Sequence, residues 1–122
     1  MEFNFEMDRP IYIQLVEQLK SYIILGILES GSRIPSVREF ALQAKVNPNT
    51  MQKALMELEE DGLIYTERTN GKFVTENKDL IEKVKKELAI QITTKYIESM
   101  KNLGISKQEI TKYLEKIKEE EK

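Results

Sequence analysis

The chain has no cysteine, no histidine and no tryptophan. Without cysteine there is no disulfide, no thiolate nucleophile and no zinc–sulfur site; without histidine the commonest general base and metal ligand is gone. Three prolines and 5 glycines in 122 residues leave little material for loops, and aromatics make up only 7%. Excess charge is missing too: 19 basic against 21 acidic residues leave −2, so bulk charge does not announce a nucleic-acid binder. The longest run free of charge, Ser21 to Leu28, has 8 residues, far short of the roughly 20 that cross a bilayer. The opening Met1-Glu2-Phe3-Asn4-Phe5-Glu6 is acidic, where a secretory signal is basic. These absences lead us to expect a cytoplasmic, non-enzymatic protein with no metal, cofactor or membrane partner. Adjacent carboxylates such as Glu59/Glu60 and Glu119/Glu120 are the only enzyme-like feature. Neighbours on a helix diverge by about 100°, so these pairs do not converge on a substrate.

Apolar residues (40%) suffice for one small core, and the charged fraction (33%) fits a helix-rich, solvated surface. In a nine-residue leader Phe3, Phe5 and Met7 alternate, which fits a short strand or, better, a cover for a neighbouring apolar surface. Ile11, Leu15, Leu19, Tyr22 and Ile23 then fall at helical spacing between Pro10 and Gly26, predicting a helix over about 10–26. Glu29-Ser30-Gly31-Ser32 reads as a turn. Ser36 followed by Glu39 is a capping box opening a short helix to about 44, with Phe40 and Ala41 inward. A third helix, about 47–61, opens on Asn47 as N-cap with Pro48 at the first helical position, and Asp61-Gly62 closes it. Met51, Ala54, Leu55 and Leu58 share its inner face, so Asn49, Gln52 and Lys53 face outward. Leu63 to Thr66 and Lys72 to Thr75 read as strands around Thr69-Asn70-Gly71, a small hairpin. Three helices and then a hairpin are the order of a winged helix-turn-helix.

Beyond Glu76 the composition shifts to Lys, Glu and Ile. Ile81, Val84, Leu88, Ile92, Tyr96, Met100 and Leu103 make one apolar stripe on a helix of about 78–103. Ser106 and Glu109 form a second capping box before a helix whose inner face is Ile110, Tyr113, Leu114 and Ile117. Glu119 to Lys122 should fray. The expected fold is therefore mainly α with a small β-hairpin. A winged domain (1–76) is followed by a two-helix segment (77–122).

Charge is uneven on a finer scale. Arg33, Arg38, Lys45 and Lys53 meet only one acid, Glu39, within their window, and the hairpin adds Arg68 and Lys72. Glu57, Glu59, Glu60 and Asp61 gather at the far end of the third helix. The positive end of that helix's dipole thus coincides with the cations, and an anionic polymer would be met locally whatever the net charge.

Five short runs carry a family likeness. Pro10-Ile11-Tyr12-x-Gln14, Gly31-x-Arg33-Ile34-Pro35-Ser36-Val37-Arg38-Glu39, Val46-Asn47-Pro48-Asn49-Thr50, Ala54-Leu55-x-x-Leu58-Glu59-x-x-Gly62-Leu63-Ile64 and Gly71-x-Phe73-Val74 resemble, in unbroken register, the DNA-binding domain of the GntR regulators. The likeness covers about residues 10–75. It departs at Thr69, where the family usually has glycine before the wing tip. The short tail resembles the YtrA branch, whose dimerisation segment is small and whose members often control their own operon together with transporter genes.

The resemblance implies that the start of the second helix, Ser36 and Arg38, meets DNA. Asn47, Asn49, Thr50 and Gln52 stand where side chains of a recognition helix reach base edges, and Asn and Gln can bind adenine through two hydrogen bonds. Asn47 caps its helix in any case. Lys53 is placed for a phosphate contact or for plain solvation, and Asn70, Gly71 and Lys72 for the minor groove or phosphate. Two helices with continuous stripes cannot both be buried on so small a winged domain, so the tail should pair two chains. The expected partners are double-stranded DNA and a second copy of the chain; a small-molecule effector of unknown kind, if one exists, would bind at the subunit interface or between the tail and the winged domain. A winged module that binds protein instead of DNA is the rival reading; it would carry acids or apolar residues at 47–53 in place of these amides.

Overall fold

The computed structural model describes residues 1–117 and divides into two compact units, Met1–Lys83 and Val84–Lys122. The tail Glu119 to Lys122, expected to fray, lies outside the described residues. Three helices, a two-stranded antiparallel hairpin and two more helices follow in order.

In the first unit, α1 (Ile11–Ile24) starts after Pro10, whose carbonyl accepts the N–H of Gln14 at 3.3 Å. Leu15, Leu19 and Ile23 are buried four residues apart, with Val16 beside them. Ile11 departs from the expected stripe, being 47% exposed. The inward place in its turn goes to Gln14, and this buried amide is fully satisfied by the leader. It accepts from Glu6 N–H (2.7 Å) and donates to the carbonyls of Glu6 and Arg9, both at 2.8 Å. Gln18, one turn on, pairs in the same way with the backbone of Asn4 (3.1 and 2.6 Å). The leader therefore forms no strand. It lies along α1 and lays Phe3 edge-on against Tyr22 and Phe40, with ring centroids 5.4 and 6.1 Å apart. Met7, the third member of the alternation, is exposed and covers nothing.

Both expected caps of the helix-turn-helix are present. In α2 (Val37–Ala44) the Ser36 hydroxyl accepts from Glu39 N–H while the Glu39 carboxylate accepts from Ser36 N–H. In α3 (Pro48–Glu60) the Asn47 side chain accepts from Asn49 N–H at 2.7 Å, and Pro48 occupies the first position. Lys45 makes the turn between them in the left-handed region, φ 58°. Met51, Ala54, Leu55 and Leu58 are buried, and α3 packs on both α1 and α2.

The hairpin pairs β1 (Ile64–Glu67) with β2 (Gly71–Val74), Ile64 opposite Val74 and Glu67 opposite Gly71. Each strand sits about one residue from the range its pattern suggested, because the turn comprises Arg68 to Asn70 and Gly71 already belongs to the ladder. A third segment joins the other side of β2: Ile34 N–H donates to the Lys72 carbonyl and Val74 N–H to the Ser32 carbonyl, both at 2.9 Å, with Arg33 opposite Phe73. Ile34, Ile64 and Val74 turn their side chains into the core of this unit.

The remaining helices are α4 (Lys78–Lys101) and α5 (Lys107–Lys116), the latter opened by the expected Ser106–Glu109 capping box. Within Val84–Lys122, Val84 and Ile110 are buried. Ile92 and Leu103 of the stripe on α4, and Ile117 beyond α5, stand 68, 74 and 69% exposed; Tyr96, Tyr113 and Leu114 are exposed as well. Leu88 and Met100 are half-buried, as is Ile81 of the first unit. No helix among the described residues is long and apolar enough to cross a membrane.

Candidate nucleic-acid interface

The N-terminal end of α3 carries the candidate site. Because Met51, Ala54 and Leu55 hold the helix to the core, Asn49, Gln52 and Lys53 stand exposed on its outer face. Asn47 is exposed but its side-chain oxygen is occupied in capping, and Thr50 is half-buried. Arg38, at the second position of α2, is exposed and has no ion-pair partner among the described residues. Ser36, two residues before it, is committed to its capping box. One helix end thus presents two amides and an ammonium, and the helix before it a guanidinium without an ion-pair partner among the described residues.

Three of the four acids at the other end of α3 have partners within the fold. Glu57 accepts a hydrogen bond from the Tyr12 hydroxyl, which raises the hydroxyl above its ordinary pKa. Glu59 accepts from Thr66 Oγ1 (2.8 Å) and Lys72 Nζ (3.1 Å), and these hold its carboxyl below the usual carboxylate value. Asp61 pairs with Lys20 at 3.3 Å. Carboxylates near the reading face would repel a phosphate backbone; here Glu59 and Asp61 are paired with lysines within the fold while the cationic end stays open. Lys53 is the one exception to open solvation, its ammonium lying 4.3 Å from the centre of the Tyr12 ring.

The wing is less free than its sequence suggested. Asn70 Nδ2 donates to Glu67 Oε1 at 3.2 Å, and Lys72, expected at the tip, lies in β2 with its ammonium also 2.9 Å from Thr66 Oγ1. Gly71 is half-buried at φ +101°, and a Cβ there would lie 2.9 Å from Arg33 Nε. A side chain at 71 would meet both left-handed strain and that guanidinium. Arg33 is thus brought to the wing from 38 residues earlier. Sequence reading counted it as one cation of a window but did not attach it to the wing. Among the described residues no cluster of three or more His, Cys, Asp or Glu could hold a metal ion.

Residues 11–74 match the model of the bacterial regulatory proteins of the gntR family, which is more than half of the chain. The chain belongs to the gntR family. Among relatives of this gntR protein, the uncharacterized HTH-type transcriptional regulator YhcF of Bacillus subtilis is 36% identical over 110 residues, 90% of this chain and 91% of YhcF. The HTH-type transcriptional repressor YtrA of the same organism is 46% identical over 68 residues, 56% of this chain and about half (52%) of YtrA. A solved GntR family transcriptional regulator from Listeria monocytogenes superposes with a TM-score of 0.86 at 41% identity, over 93% of this chain and all of that one. The DNA-binding domain of AraR, solved in complex with operator ORX1, superposes with a TM-score of 0.54 at 28% identity over 62% of this chain and 95% of that domain. The winged helix-turn-helix expected from the residues is therefore the fold of a gntR regulator, with two helices following it.

Proposed function

We propose that the chain is a sequence-specific, DNA-binding transcriptional repressor that acts as a homodimer on a palindromic operator in the cytoplasm. Residues 1–76 bind DNA and residues 77–122 dimerise. The observation that carries this reading is the outward group Asn49, Gln52 and Lys53 at the positive end of α3, with Arg38 on the helix before it exposed and without an ion-pair partner among the described residues. Such a face suits a major groove, with amides for base edges and cations for phosphate. The operator complexes of AraR and the repressor names of the relatives support the same reading. Symmetry requires that two recognition helices meet half-sites about one helical turn, roughly 34–36 Å, apart. The exposed stripe of Ile92, Tyr96, Leu103, Tyr113, Leu114 and Ile117 supplies the face on which a second copy closes the dimer. The YtrA likeness favours an operon containing transporter genes as the target, with any effector held where the two chains meet.

Titration of two variants tests the assignment of roles. Gln52→Ala should cost about 1–3 kcal/mol on the preferred operator and much less on an operator changed at the contacted base pair. Arg38→Ala should weaken all duplexes alike and lower the salt slope by about one per chain. If neither change affects binding, α3 is not the reader.

A further inference from the structure

Lys53 and Glu57 are four residues apart on α3, close enough on a helix surface to pair with each other. They do not: among the described residues no carboxylate lies within 4.0 Å of the Lys53 ammonium. The reason sits on another helix. Tyr12, near the start of α1, puts its ring under Lys53 Nζ at 4.3 Å and donates its hydroxyl to Glu57 Oε1. One side chain thus separates two charges that the sequence alone would join. The two halves of Tyr12 act differently. The ring offers the ammonium a shallow attraction and no strong acceptor, so the N–H donors of Lys53 remain open to another oxygen. The hydroxyl gives the carboxylate a donor, so it has less need of the ammonium.

From this geometry we infer that Tyr12 is a positioning residue for DNA binding: it holds Glu57 away from Lys53 and keeps the ammonium free for a backbone phosphate. The inference rests on the DNA-binding reading above and assigns it a control element outside the recognition helix. It also decides between the two roles open to Lys53, in favour of the phosphate contact. Loss of the hydroxyl alone releases Glu57, which then neutralises Lys53 at i, i+4 and brings a carboxylate toward the duplex.

The test is a double-mutant cycle in the full chain: wild type, Tyr12→Phe, Glu57→Gln and the pair. The probes are a 30-base-pair duplex recovered by the wild-type chain from a random library and one random-sequence duplex of equal length (lengths of about this size cover a two-half-site operator). Tyr12→Phe should weaken both duplexes by roughly 3- to 10-fold, the effect of one surface charge pair on each of two chains. It should also lower the salt slope by about 0.9 per chain, the value of one phosphate contact. Glu57→Gln in the Tyr12→Phe background should restore both affinity and slope, which repair of packing would not do. A double variant no better than Tyr12→Phe, or a Tyr12→Phe protein that binds like wild type, overturns the inference and leaves the DNA-binding reading intact. A wild-type chain that recovers and binds no duplex overturns both.

Discussion

In Met1–Lys83 the apolar stripe of α3 and, Ile11 apart, most of that of α1 are buried inside the chain; in Val84–Lys122 a stripe of the same period stays largely in water. Leu15, Leu19, Met51, Leu55 and Leu58 are at most 1% exposed, whereas Ile92 and Leu103 keep most of their surface. Full burial of such a side chain is worth about 1.5–3 kcal/mol, so the second unit holds in reserve what the first has already used. Periodicity states that a helix has an apolar face. It does not state whether the face is covered by the same chain or by another.

The largest expected effect separates these two cases. Ile92→Asp combined with Leu103→Asp should turn a dimer into monomers in analytical ultracentrifugation. Affinity for a two-half-site duplex should then fall by about 10²–10⁴, because the second recognition helix is no longer tethered. The melting of the first unit should not change. A double variant that stays dimeric would mean that the stripe is not the interface.

A smaller effect compares two identical devices. Ser36→Ala and Ser106→Ala each remove the hydroxyl of a capping box, a loss of about 0.5–2 kcal/mol. Ser36→Ala should lower the melting temperature of the winged unit, since α2 is packed on α3. Ser106→Ala should appear as faster amide exchange in the first turn of α5 without moving that melt. Equal shifts in both experiments would show that the two units unfold as one.

The smallest effect is a pH dependence with one carboxylate in each unit. Thr66 and Lys72 hold Glu59, and the backbone and hydroxyl of Ser106 hold Glu109, below the ordinary value of 4.5. A lowered folded-state pKa means stability present above the ordinary value and lost as pH falls through the lowered one. Between pH 5 and 3 (the span about a unit either side of a normal carboxylate) amide protection should fall in the wing and at the start of α5. Glu59→Gln should flatten the first response only, and Glu109→Gln the second only.

What the sequence made legible was local. Capping boxes, Asn47 with Pro48, the stripe of α3 and, Ile11 apart, that of α1 are fixed by residues within one or two turns, and they lie where the spacing put them. The outer face of α3 followed from its inner face, which is why Asn49, Gln52 and Lys53 were found together. Non-local contacts were not legible. The segment Ser32 to Ile34 is too short to show an alternation, and its partner strand lies about 40 residues later. Gln14 looks like a polar break in an apolar stripe until the leader's carbonyls are placed around it. Lys72 reads as a free cation at a turn because nothing in its neighbourhood of sequence names Glu59. Tyr12 belongs to the same class: its two partners sit on a helix 41 and 45 residues away.

The segment Ser32 to Ile34 has a further consequence, for solubility. It makes the hairpin the two-strand part of a three-strand patch, with β2 in the centre and covered on both sides. Open strand edges are templates on which other molecules add strands, and short or interrupted edges blunt that growth. One edge here is three residues long and ends at Pro35, which has no N–H to donate. The other is the four residues of β1, running into Glu67 and Arg68. Neither gives an incoming strand enough register to hold. In a chain that leaves long apolar helical faces uncovered, the sheet is thus kept short at both edges, which blunts the addition of foreign strands.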